Sequence, residues 1–94
     1  MDITTIVSLV KERLGIRSTV RDNYLTQIAT GVVEELEDEK GITLTSGNFN
    51  HLLFCVDYTT WRYESVGKDG AMPRHLQFRL HNLIIHNGGG SSDI

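Results

Sequence analysis

Residues 49–63, reading FNHLLFCVDYTTWRY, place the strongest constraint on what this chain can fold into. Wound at 3.6 residues per turn, Phe49, Leu52, Leu53, Val56, Thr60 and Tyr63 form one continuous stripe. Phe54, Tyr58 and Trp61 fall on a different face. A helix with apolar side chains on two faces needs something to cover each of them. The chain's own core supplies one cover, and a neighbouring subunit is the expectation for the other.

The remaining segments read as helices too. Asp2 is placed to cap a helix over about residues 3–14, with Ile3, Ile6, Val7, Val10 and Leu14 along one side. A second helix, about 20–40, opens at Thr19 with Asp22 three positions on, a variant of the capping box. Tyr24, Leu25, Ile28, Val32 and Leu36 make its stripe, with Ala29 and Val33 alongside. Leu14-Gly15-Ile16 and Lys40-Gly41-Ile42 repeat one stop device, a glycine free to turn left-handed followed by an apolar residue that folds back. Ser46 or Asn48 caps the helix at 49–63. Pro73 belongs in the first turn of a fourth helix, Arg74 to His86, where its missing N–H costs nothing. Leu76, Leu80, Leu83 and Ile84 give that helix its buried face. Ile42-Thr43-Leu44 offers at most one short extended piece. The expectation is an all-α fold, a small bundle of four helices over residues 1–87, with a flexible Gly/Ser-rich tail at 88–94.

A single domain of 94 residues buries little more than about half of its unfolded surface, so assembly would add usefully to its stability. Net charge −3 and a pI near 5.7 argue against a free-standing nucleic-acid binder. The charge is uneven. Residues 1–60 carry five Lys/Arg against nine Asp/Glu, whereas residues 61–87 carry four against two. An acidic front and a basic back allow copies to meet head to tail; scatter over a solvated surface is the alternative. Residues 1–15 are amphipathic, unlike a signal peptide, and no run reaches the length of a membrane span. With one cysteine there is no internal disulfide, and an intracellular, reducing setting is expected.

Reactive residues are present without the company that chemistry requires. His51 and Cys55 share a helix face four positions apart, but further metal ligands are lacking, and Cys55 between Phe54 and Val56 reads as core packing. His75, His81 and His86 do not align as a ligand set and read as solvated or interface residues. The acidic run Glu34, Glu35, Glu37, Asp38, Glu39 has no calcium-loop spacing and reads as a solvated helix end, although negative charge there opposes the helix dipole. Gly67-Lys68-Asp69-Gly70 lacks the core of a phosphate loop and reads as a flexible connection. No acid–base set and no cofactor fingerprint emerge, so the chain reads as a non-enzyme needing neither metal nor cofactor.

One resemblance stands out. An apolar helix closing on Trp61-Arg62-Tyr63, a loop containing Met72-Pro73 and a last helix reading Leu76…Arg79-Leu80-His81-Asn82-Leu83 resemble the head–tail connector family, the head-completion adaptors of tailed bacteriophages. The resemblance implies a structural virion protein, made in the host cytoplasm and located at the head–tail neck. It would assemble as a ring of about a dozen copies. The ring would sit on the portal protein and receive the next neck or tail-completion protein, with DNA only as non-specific cargo and no membrane contact. Pro73, Arg74, Arg79 and Asn82 would lie in or near the docking element, with Trp61, Arg62 and Tyr63 bracing it. The acidic cluster Glu34, Glu35, Glu37, Asp38 and Glu39 would face the channel and let DNA slide past. The alternative is a small helical phage-encoded DNA-binding regulator. Its best reading helix, 73–86, gives much of its surface to Leu and Ile.

Overall fold

A computed structural model describes residues 1–45, 47–65 and 71–87. Among them run α1 (Ile3–Leu14), α2 (Asp22–Glu34) continued by a π-helical turn (Glu35–Glu39), α3 (Phe49–Glu64) and α4 (Arg74–Asn87). The fold is all-α, as the periodicity predicts. Helices α1, α2 and α3 pack against one another, whereas α4 packs only against α3 among the described residues. The architecture is therefore a three-helix body carrying a fourth helix on one side.

Local chemistry sets most of the helix ends. The Asp2 carboxylate accepts from the Thr4 N–H at 3.0 Å, and the Asn48 side chain accepts from the His51 N–H at 3.2 Å, each satisfying a donor that the first turn leaves open. Gly15 (φ 73°) and Gly41 (φ 67°) take the left-handed conformation. Behind them, the Ile16 N–H reaches the Lys11 carbonyl and the Ile42 N–H reaches the Leu36 carbonyl, both at 2.9 Å. The second stop is wider because the preceding turn is π-helical, with the Lys40 N–H donating to the Glu35 carbonyl. Leu36 and Ile42 are both driven into the core by this geometry, and after them Leu44 is buried while Thr43 faces out. That alternation is the short extended piece expected at 42–44.

The core joins Ile6 and Val10 from α1, Leu25, Ala29 and Val32 from α2, Leu36 and Ile42 around the π-turn, Phe54, Cys55 and Val56 from α3, and Leu76 from α4. Each is at most 2 % exposed. At about 25 cal/mol per Å² of apolar surface removed from water, these side chains supply the main drive to fold.

In α3 both apolar stripes contribute to the core, Phe54 and Tyr58 from one and Val56 and Thr60 from the other, while Phe49 is 67 % exposed and Leu52 and Leu53 are half-buried. Helices α1, α2 and α4 all pack against α3. Two expectations need correction. Thr19 does not cap α2. That helix starts at Asp22 after an Arg21 that makes no side-chain cap, and the Asp22 carboxylate is drawn instead to Lys11 Nζ at 2.6 Å. Pro73 stands just outside α4, where its carbonyl accepts from the Leu76 and Gln77 N–H groups at 3.0 Å. Ser46, the glycine turn at 66–70 and the tail at 88–94 lie outside the described residues.

Candidate partner-binding surface

Helix α4 has three faces with different fates. Leu76, Leu80 and Leu83 turn toward α3, with Leu76 fully buried and the other two half-buried. Opposite them, Arg74, Phe78, His81 and Ile85 recur at helical spacing and are all exposed. Phe78 is 66 % and Ile85 49 % open to solvent. The helix contains no Asp or Glu, so this outward stripe is apolar and basic together. Arg74 makes no ion pair among the described residues. Between the inner and outer faces lie Arg79, Asn82 and His86, on the wall of a cleft shared with the start of α3.

Asp57 of α3 is the clasp that holds α4. One carboxylate oxygen accepts from Arg13 of α1 and the other from Arg79 of α4. The Arg79 guanidinium also lies over the Phe54 ring, 5.3 Å from its centroid. Burial alone would raise the Asp57 carboxyl, but hydrogen bonds and charge from the two arginines outweigh it and hold the group below the usual carboxylate range. Asp57 and the two arginines border a second cleft, of about 360 Å³, with Trp61, Pro73 and His75. Trp61 is half-buried and stacks on Tyr58, ring centroids 6.0 Å apart.

Arg62 is engaged elsewhere. Its Nη2 donates to Glu35 Oε1 at 2.6 Å and to the Tyr58 hydroxyl at 2.9 Å, while Tyr58 donates to Glu35 Oε2 at 2.7 Å. Burial opposes ionisation of Glu35, yet the hydrogen bonds from Tyr58 and Arg62 and the charge of Arg62 keep its carboxyl below the ordinary value. Burial, with the bond to Glu35, pushes the Tyr58 hydroxyl up to about 12. Tyr63, the last of the bracing trio, accepts from Arg21 Nη1 at 2.7 Å and packs against Tyr24, centroids 5.9 Å apart. Arg62 and Tyr63 thus tie α3 to α2 and its π-turn, Trp61 stacks on its own helix, and Pro73, Arg74, Arg79 and Asn82 belong to α4 and its approach.

The acidic run divides. Glu35 is taken inward by Arg62 and Tyr58, whereas Glu34, Glu37, Asp38 and Glu39 are exposed on the end of α2 and its π-turn. Cys55 is fully buried, and burial raises its thiol to about 11, far from a reactive thiolate at neutral pH. No cluster of three or more His, Cys, Asp or Glu able to hold a metal ion occurs among the described residues. None of their helices is long and apolar enough to cross a membrane.

Sequence reasoning weighed His51 only as a companion of Cys55 and missed Asp57. Asp57 sits mid-helix with its arginine partners 44 and 22 positions away, beyond any local pattern. Set against family profiles, characterised proteins and solved structures, the chain matches none.

Proposed function

We propose that this protein is a structural adaptor, a head–tail connector that assembles as a ring on the portal of a tailed bacteriophage and links the DNA-filled head to the neck or tail. The observation that carries the reading is the outward stripe of α4, Arg74, Phe78, His81 and Ile85, on a helix that packs against α3 alone among the described residues. Large apolar side chains left open beside an unpaired arginine are what a protein–protein docking helix presents. The likeness of residues 61–83 to the connector family supplies the identity of the partners, the portal and the next neck or tail-completion protein. Trp61, Arg62 and Tyr63 brace α3, on which that helix rests, and Arg74 serves as the charged contact. Arg79 is less free to do so, since it holds Asp57.

Within a ring of about a dozen copies, the exposed carboxylates of Glu34, Glu37, Asp38 and Glu39 would line the channel and repel DNA phosphates, so that DNA passes as cargo. The deciding experiment is negative-stain imaging of the protein mixed with the portal ring of the same phage. A ring of added density at the outer end of the portal is expected. Bare portals at high protein concentration would sink the adaptor reading and turn attention to DNA binding at low salt, the regulator alternative.

A further inference from the structure

The start of α3 and the second half of α4 enclose a cleft of about 410 Å³. Its wall carries one guanidinium, two imidazoles and three amides: Arg79, His51, His86, Asn48, Asn50 and Asn82. Among the described residues no carboxylate lines it, in a chain with an excess of acidic over basic residues. Leu83 provides the apolar part.

His51 gives the cleft its chemical direction. It is 2 % exposed, and its Nδ1 accepts a hydrogen bond from the Thr45 N–H at 3.0 Å. A ring nitrogen that accepts carries no proton, so the neutral imidazole bears its hydrogen on Nε2. That Nε2 is buried and has no hydrogen-bond partner among the described residues. A buried donor without an acceptor loses its hydration with nothing to offset the loss, and such groups normally find a partner. The tautomer also sets the partner's nature: Nε2 offers a hydrogen and not a lone pair, which excludes a metal ion and calls for an acceptor.

The surroundings favour a charged acceptor. The cleft opens at the first turn of α3, where unsatisfied backbone N–H groups and the helix dipole attract negative charge. Arg79 commits one nitrogen to Asp57 and has no other hydrogen bond among the described residues. Because Asp57 is shared by two arginines, a net positive charge remains there. Asn50, Asn82 and His86 hold no side-chain hydrogen bond among the described residues, so nothing fixes them across the ring of His51.

We propose that this cleft binds an oxyanion, a carboxylate or phosphate group, with His51 Nε2–H as its buried donor and Arg79 as its counter-charge. The site is independent of the adaptor reading. The volume suits a small organic acid or phosphate ester.

The test is a titration of the ¹⁵N-labelled full chain at constant ionic strength and pH 7, with inorganic phosphate in one arm and succinate in the other. Saturable shifts of the His51 Nε2–H and of the Phe49 and Asn50 amides are expected, and the tighter arm identifies phosphate or carboxylate as the source. Asn82→Asp puts a negative charge on the cleft wall and should weaken binding by about tenfold or more, roughly 1.4 kcal/mol. Asn23→Asp, on α2, should leave it unchanged. Absence of saturation in both arms overturns the proposal. So does equal binding by Asn82→Asp, or equal weakening by Asn23→Asp, since either would reduce the effect to overall charge.

Discussion

The Tyr58 hydroxyl donates to Glu35 at 2.7 Å, joining the middle of α3 to the first residue of the π-turn. Arg62 closes the triangle by donating to both. The widened turn has a local consequence: Glu35 faces inward while the carboxylates after it stay in solvent.

Tyr58→Phe removes two edges of that triangle and leaves the third, Arg62 on Glu35. Denaturant unfolding should show a loss of about 1–2 kcal/mol, with the m-value unchanged. In a background of Glu35→Gln the same substitution should cost less, because the charged acceptor has gone.

Acid should weaken the Asp57 clasp in a defined window. The folded-state carboxyl lies below its unfolded value of about 4, so its contribution is complete above that pH and is lost as the pH falls through the folded value. The gap in melting temperature between the wild type and Asp57→Asn should be constant above about pH 5 and close progressively below about pH 4. A gap that widens in acid would contradict the assignment.

Thr59 is fully buried with a hydroxyl that finds no hydrogen-bond partner among the described residues. Thr59→Val keeps the shape and removes the stranded group. It should stabilise the protein by about 1 kcal/mol, read as a higher urea midpoint.

Phe54 is 1 % exposed and Phe78 66 %, so truncation should separate core from surface. Phe54→Ala should cost about 3–5 kcal/mol, and Phe78→Ala should fall within about 0.5 kcal/mol of wild type. Leu83, which the sequence places on a buried face, and Trp61 are both half-buried and should fall between these limits.

Charge reversal should distinguish the two arginines of α4. Arg74→Glu should leave the melting temperature unchanged and abolish portal docking. Arg79→Glu sets a carboxylate against Asp57 and should cost roughly 1–2 kcal/mol before any partner is added. Normal docking by Arg74→Glu would show that the outward stripe of α4 is not the contact surface.

The helices and most of their ends were legible because their causes are local. Asp2 and Asn48 each cap a turn two or three residues away, and Gly15 and Gly41 act on the residues beside them. Which residues of α3 turn inward was not legible, since both faces are apolar and only the positions of α1, α2 and α4 decide among them. The π-turn leaves no trace in a pattern of apolar spacing. Of the interface residues read from the sequence, Arg74 is exposed and unpaired, whereas Arg62 and Arg79 hold carboxylates of their own chain. The cleft at His51 needs two helix segments brought together across the fold, and the sequence carried only a hint of it, a histidine on an apolar helix.

That α4 has a single helical neighbour bears on how the molecule comes apart. A segment that packs on one helix among the described residues, with Leu76 as its fully buried side chain, opens at a lower free energy than the mutually packed α1, α2 and α3. Its amides should be the first of the four helices to exchange with solvent, and they should do so together. The helix that offers its outer face to a partner is thus the one whose rigidity a partner would most increase.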